Sequence, residues 1–294
     1  MVAVRIRVDS TSNGALPAAD KIAADAEHCL RLEVDTWPKP GLVSVVDTGS
    51  HDDMDAGTFA RSAAAIRPFF AEMAQAGAAR GDMAVLRRIG VRAEHAMLAA
   101  TGGVNTHRGA IFGLGLLCAA AGRRSADGSY MGATKVPTLG EIVAQHWGAE
   151  ILGGPRPSSS HGEVAGRLYG VGGARREAAD GFASVYRVGV PALREAEWLR
   201  PGDAAAARVH ACFALIAAVA DTNLLHRGGT AGLEFAQQTA RGFLACGGVG
   251  ALDWLAHAEA AHRAFVVRRL SPGGAADLLA MSLFAATFDL ESGR

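Results

Sequence analysis

Residues 109–122 read Gly-Ala-Ile-Phe-Gly-Leu-Gly-Leu-Leu-Cys-Ala-Ala-Ala-Gly, the longest stretch of the chain without a charged side chain. It is shorter than the roughly 18 residues a membrane span needs, so it reads as an apolar helix, Ala110 to Ala121, of a soluble protein. The segments around it carry the same period. Upstream, Met83, Leu86, Ile89, Ala93 and Met97 share one helical face, with Glu94 at its margin, and so do Phe59, Ala63, Ile66, Phe70 and Met73, in a helix that Pro68 should kink. From Asp20, the positions Ile22, Ala26, Cys29 or Leu30, and 33 fall on one stripe, and position 33 is a glutamate. Downstream, Gly122 to Pro137 reads as a loop, and Thr138 with Glu141 forms a capping-box pattern for a helix through Trp147 to Ile151. Gly153 to Gly162 is irregular and long enough for a lid. Short helices are expected around Val164–Tyr169 and Ala174–Phe182, an extended run over Val185–Val190, and a helix over Pro191–Trp198. Asp203 should cap a long helix, Ala204 to Leu225, with Asp221 near its C-terminal end. Two more helices follow, Thr230 to Cys246 and Ala251 to Arg269, the second with His257 and His262 on the surface. The last starts at Ser271-Pro272-Gly273-Gly274. No regular series of strands appears. The fold class is all-α: one multi-helix domain with its site at converging helix ends and loops, preceded by a flexible arm over residues 1–18.

The totals exclude several functions. With 29 basic and 29 acidic residues in 294, the formal charge is zero, which recommends neither nucleic acid nor an anionic membrane as partner. Cys29, Cys118, Cys212 and Cys246 are widely spaced among apolar or small residues, as buried thiols of a reducing compartment are, and the expected location is cytoplasmic.

Chemistry concentrates in three segments. In Trp37 to Asp55 two prolines flank Lys39 and hold it on a stiff, extended stretch, and His51, Asp52, Asp53 and Asp55 follow within five residues. So many like charges call for a cation or a shared proton. Glu33, on a buried stripe, needs a partner as well, whether ligand or core arginine. The second segment, Gly103-Val104-Asn105-Thr106-His107-Arg108-Gly109, leads into the apolar helix, where free N–H groups and an arginine suit a phosphate. Asn105 and Thr106 are equally plain helix caps. The third, Asp221-Thr222-Asn223-Leu224-Leu225-His226-Arg227-Gly228-Gly229, echoes the second. A negative Asp221 at a helix C-terminus would run against the dipole, which favours a cation beside it over a capping role. Gly273 and Gly274 weaken a first helical turn unless a ligand approaches there.

Taken together, Glu33 with Lys39-Pro40-Gly41-Leu42-Val43, Gly49 to Asp55, Gly103 to Phe112, Asp221 to Gly229, and Ser271 to Ala280 resemble triphosphoribosyl-dephospho-CoA synthase, from about Ala19 to Leu290. The wording of Glu33 to Gly41 and Ala99 to Asn105 is closer to the malonate decarboxylase branch of that family than to the citrate lyase branch. The resemblance implies a catalytic domain over residues 19–294. Its reaction converts ATP and 3'-dephospho-CoA into 2'-(5''-triphosphoribosyl)-3'-dephospho-CoA and adenine. The product is the precursor of a prosthetic group that a transferase then attaches to an acyl carrier subunit. It also implies Mg²⁺ or a similar divalent cation on the triphosphate, with Asp52, Asp53 and Asp55 as its candidate ligands. Lys39, Arg108 and Arg227 are candidates to neutralise phosphate, alongside Gly103, Asn105, His107, Asn223, His226, Gly273 and Gly274. Glu33 or Asp221 would stabilise the charge at the ribose and take the acceptor's proton, and His51, His107 or His226 would protonate the departing base. A homodimer is left open. The rival enzyme is an all-helical metal-dependent nucleotide hydrolase, and the non-enzymatic rival is a helical adaptor docking the carrier subunit.

Overall fold

The computed structural model describes residues 18–127, 136–155, 168–169 and 172–290. The described chain is all-α, with eleven α-helices and no strand. They are α1 (Ala18–Val34), α2 (Ala56–Ala78), α3 (Met83–Ala100), α4 (Arg108–Ala126), α5 (Leu139–Gly153), α6 (Gly173–Ala179), α7 (Val190–Leu199), α8 (Ala204–Ala218), α9 (Thr222–Ala245), α10 (Trp254–Val267) and α11 (Gly273–Leu290). No single described helix is long and apolar enough to cross a membrane.

The apolar run becomes the central helix, α4, buried on nearly every side from Ala110 to Gly122. Its small residues let neighbouring backbones come close. Gly122 lies against the Ala74 carbonyl of α2, and Gly77 of α2 lies against the Ala119 carbonyl of α4, so a Cβ on either would overlap main chain. Larger side chains fill the remaining faces: Met281 of α11 seats on Gly113 and Met73 of α2 on Gly115. α1 and α3 pack on α2, while α11 crosses between α4, α1 and α8.

Asp203 and the Thr138-Glu141 box cap their helices as expected, while Asp55, expected on a metal, and Asp82 act as caps too. Asp55, Asp82 and Asp203 each accept from a backbone N–H of the first turn, and Thr138 with Glu141 completes the capping box. α2 runs through Pro68 as one helix. α4 continues to Ala126, past the expected loop start at Gly122. Most of the expected lid, the expected helix over 164–169 and nearly all of the N-terminal arm lie outside the described residues.

Four expectations need correction, the first being that Cys246, unlike Cys29, Cys118 and Cys212, is exposed rather than a buried thiol. Val185–Gly189 is a π-helix rather than an extended run, fixed by tertiary contacts: Gly189 lies against the Ser282 hydroxyl, and the Tyr186 hydroxyl donates to Asp289 (2.6 Å) and accepts from the Gly140 N–H (3.1 Å). The long helix expected over Ala204–Leu225 is two helices bent by 60°, because Val219 turns extended and Asp221 starts a new one. His262 is buried rather than on the surface: its Nδ1 meets the Lys39 carbonyl (2.6 Å) and its Nε2 meets Asp47 (3.2 Å).

Candidate active site

α1 delivers Glu33 at its last turn, inside the protein. The chain then leaves the helix through Trp37 to Pro40 and returns Lys39 to it. Lys39 has no exposed surface, and its ammonium is ion-paired with the Glu33 carboxylate. The lysine expected to meet phosphate is therefore spent on Glu33, since an ammonium that deep is stable only with a partner. Its backbone carbonyl holds His262, so the proline-flanked segment is anchored at both ends.

The start of α4 forms one wall of a cleft that Glu33 also lines. His107 is buried just ahead of the helix. Thr106 donates to Ser62 (2.7 Å), and the Ser62 hydroxyl in turn bonds His107 Nδ1 (2.6 Å), which leaves the ring proton on Nε2. That Nε2 is buried without a hydrogen-bond partner. Burial first, and Lys39 second, push the His107 pKa down to about 3, so the ring is a neutral donor at physiological pH. Arg108, the first residue of α4, pairs through Nη2 with Glu94, while its Nε is also buried without a partner. Two adjacent residues thus present unpaired N–H groups at a helix N-terminus, an arrangement suited to an oxyanion. Asn105 is exposed at the same rim and accepts from the Arg108 N–H (3.2 Å). Gly103 is exposed with φ +93° and does not line the cleft.

Across from α4, Arg227 of α9 hydrogen-bonds His51 Nδ1 (3.2 Å) and the carbonyls of Ser50 (3.1 Å) and Arg269 (3.1 Å). His51 Nε2 meets the Ser271 hydroxyl (2.9 Å). A guanidinium donating to Nδ1 leaves the proton on Nε2, and burial followed by Arg227 lowers the His51 pKa. Asn223 and Gly273 meet at the back of the cleft, where a Cβ on Gly273 would come 2.8 Å from the Asn223 amide. A protein side chain, not a ligand, accounts for that glycine. The same holds for Gly274, whose Cβ would stand 3.0 Å from Asp221.

Asp221 differs most from expectation. It caps the start of α9, accepting from Asn223 N (2.7 Å) and Leu224 N (3.3 Å), and it also accepts from Ala275 N (2.9 Å) at the start of α11. Two helix N-termini replace the expected opposing dipole, and they hold the carboxylate away from the cleft lining. Burial still raises its pKa. His226 is exposed and outside the cleft lining.

Asp52, Asp53 and Asp55 are exposed and turn to separate partners. Asp52 pairs with Arg269, Asp53 lies 3.7 Å from His51, and Asp55 caps α2 through the Thr58 N–H (2.7 Å) and hydroxyl (2.8 Å). Hydrogen bonds to Arg269 and to Thr58 hold the Asp52 and Asp55 carboxyls below the usual range. Among the described residues no three His, Cys, Asp or Glu side chains are placed to hold a metal ion. These three aspartates therefore do not fit a protein-built metal cage.

One cleft residue was missed by sequence reasoning. Asp277, one turn into α11, faces the cleft half-buried, and its carboxyl lies on the start of α4: a Cβ on Gly109 would overlap its Oδ2, and the Ala110 N–H donates to it. Burial, then the charges of Glu33 and Asp221, push its pKa well up. The signal available was an acid five residues into a helix that stays apolar or uncharged until Asp289.

Comparison with known proteins places this geometry. Residues 19–294 match the family described as ATP:dephospho-CoA triphosphoribosyl transferase (CitG). A protein of Klebsiella pneumoniae named 2-(5''-triphosphoribosyl)-3'-dephosphocoenzyme-A synthase is 39% identical over 284 residues, covering 92% of this chain and 92% of its own. Proteins described as probable synthases of the same name, from Pseudomonas fluorescens and Acinetobacter calcoaceticus, are 40% and 37% identical and cover 90% and 88% of this chain and 90% and 91% of their own. No solved structure matches the chain significantly.

Proposed function

We propose, since the chain belongs to the ATP:dephospho-CoA triphosphoribosyl transferase family and is a triphosphoribosyl-dephospho-CoA synthase, how its cleft divides the reaction. The observation that carries the assignment is one carboxylate, Glu33, sharing a cleft with two unpaired buried N–H donors at the start of α4. His107 and Arg108, at the start of α4, receive the triphosphate of ATP, with Arg227 and Asn223 completing the wall. Glu33 faces the ribose, stabilises positive charge that develops as adenine leaves, and accepts the proton of the attacking 2'-hydroxyl of 3'-dephospho-CoA. Lys39 acts through Glu33, holding its carboxylate in place, and Asp221 positions α9 and α11 without touching substrate.

The divalent cation, magnesium or similar, comes with the triphosphate and takes its ligands from phosphate and water, as magnesium commonly does. The enzyme is cytoplasmic. Its product serves, through a transferase, the acyl carrier subunit of malonate decarboxylase, a destination supported by the wording of Glu33 to Gly41 and Ala99 to Asn105. Pairing the product with the malonate decarboxylase and the citrate lyase transferases in turn, and weighing each carrier subunit, tests that choice.

The reaction itself is tested by incubating the protein with ATP, Mg²⁺ and 3'-dephospho-CoA. Free adenine and the triphosphoribosyl adduct should appear together by mass spectrometry. ADP or phosphate without adenine would sink the assignment in favour of a nucleotide hydrolase. Glu33→Gln should abolish turnover while ATP still binds; lost ATP binding with intact chemistry would move Glu33 to a binding role.

A further inference from the structure

Two carboxyls, Glu33 and Asp277, line the cleft, and a third, Asp221, is buried behind its lining. Glu33, Asp221 and Asp277 lie within electrostatic range of one another, and Lys39, the buried cation of the group, is committed to Glu33. Like charges that close in a dehydrated volume do not all ionise. The proton stays where compensation is weakest. Asp221 accepts from three backbone N–H groups, and Glu33 has an ammonium. Asp277 has the Ala110 N–H. The groups facing it from the packed elements are Glu33 of α1, Asp221 ahead of α9, and His107 and Arg108 at the start of α4, with His51 and Arg227 across the cleft. Both histidines are held neutral, so neither stores a proton for transfer.

We infer that Asp277 is the general acid of the cleft, giving its proton to the purine ring of the departing adenine while Glu33 takes the proton of the incoming 2'-hydroxyl. The inference rests on the proposed glycosyl transfer and adds a catalytic group to it. The bond from the ribose anomeric carbon to N9 breaks, its electron pair goes to the purine, and the Asp277 proton neutralises the base at a ring nitrogen. The acceptor oxygen bonds the same carbon and releases its proton to Glu33. The turnover ends with Glu33 protonated and Asp277 ionised. Passing one proton from Glu33 to Asp277, directly or through water, restores the enzyme with no outside acid.

The test uses a leaving group that needs no proton. β-Nicotinamide riboside 5'-triphosphate loses a neutral pyridine, whereas ATP must lose a protonated purine. With wild type, ATP and 3'-dephospho-CoA should first give adenine and the adduct; their absence would overturn the transfer itself and the acid with it. Asp277→Asn should then lose about 10²–10³-fold in kcat with ATP, within the range for general acid catalysis, and less than about 5-fold with the nicotinamide substrate. ATP binding by equilibrium titration should stay within about 3-fold, with the far-UV circular dichroism of wild type. Equal losses on both substrates, or full adenine release by Asp277→Asn, would overturn the assignment. Wild type alone gives a second reading independent of the variant's folding. The alkaline fall of kcat with ATP should be absent with the nicotinamide substrate, and an identical limb with both would equally overturn it.

Discussion

Asn105-Thr106-His107-Arg108-Gly109 and Asn223-Leu224-Leu225-His226-Arg227-Gly228 look like two copies of one device, yet the structure uses them differently. In the first, the histidine stands just before the helix and the arginine opens it, so His107 turns inward and lines the cleft. In the second, Asp221 has already begun the helix, and the same His-Arg pair falls beyond its first turn. There His226 is exposed and Arg227 reaches back to His51 and the Ser50 carbonyl. Position relative to a helix start, not residue identity, decides which of the two histidines lines the cleft.

The comparison is broken most directly at the two histidines. His107→Ala should lower kcat/KM about 10²–10³-fold, the cost of a preorganised donor, and His226→Ala less than about 3-fold. Equal losses in steady-state assays would restore the symmetry of the two segments. The capping residues sharpen it next. Asp221→Ala strips a carboxylate from two helix N-termini and should cost about 2–3 kcal/mol in urea unfolding, whereas Asn105→Ala, with one exposed contact, should cost under about 1 kcal/mol. Comparable midpoints would mean that the second brace, to Ala275, contributes nothing. The arginines should differ less. Arg108→Gln and Arg227→Gln should each weaken ATP binding by about 10-fold in titration calorimetry, with Arg227→Gln also releasing His51 toward a higher pKa in NMR titration.

The last contrast is electrostatic and appears as a pH dependence. His107 is held neutral in the fold with a pKa near 3, below the 6.5 of the free side chain. Stability linked to it is complete above pH 6.5 and drains as pH falls toward 3, because the unfolded chain takes up the proton first. Asp277 works in the opposite sense. Its pKa is raised, so the folded state keeps a proton that the unfolded chain has lost, and stability falls as pH rises above the ordinary carboxyl range. Thermal melts should therefore show His107→Gln flattening the acid side and Asp277→Asn flattening the opposite side. A His226→Gln control should leave the acid slope of wild type unchanged.

Much of the fold was legible because helix starts carry local chemistry: Asp55, Asp82, Thr138 and Asp203 act where they stand. The break before Asp221 was not, since Val219 and Ala220 continue an apolar run without Gly or Pro and the bend is set by packing. The π-helix at Val185–Gly189 was hidden for the same reason: β-branched and aromatic residues favour strands until partners such as Ser282 and Asp289 decide otherwise. In the site, the costly features were visible one at a time, as Glu33 on an apolar stripe and Lys39 between prolines. Their union was not, because nothing in the spacing says that the lysine folds back on the glutamate. Asp277 escaped because its partners, Gly109 and Ala110, lie on another helix.

The double grip of Asp221 has a mechanical consequence. One side chain is pinned to Asn223 and Leu224 on one helix and to Ala275 on another, so the two helices share a pivot. Arg227 rides on the first and Asp277 on the second. Both line the cleft, so a single carboxylate sets the spacing between the guanidinium on one wall and the carboxyl on the other.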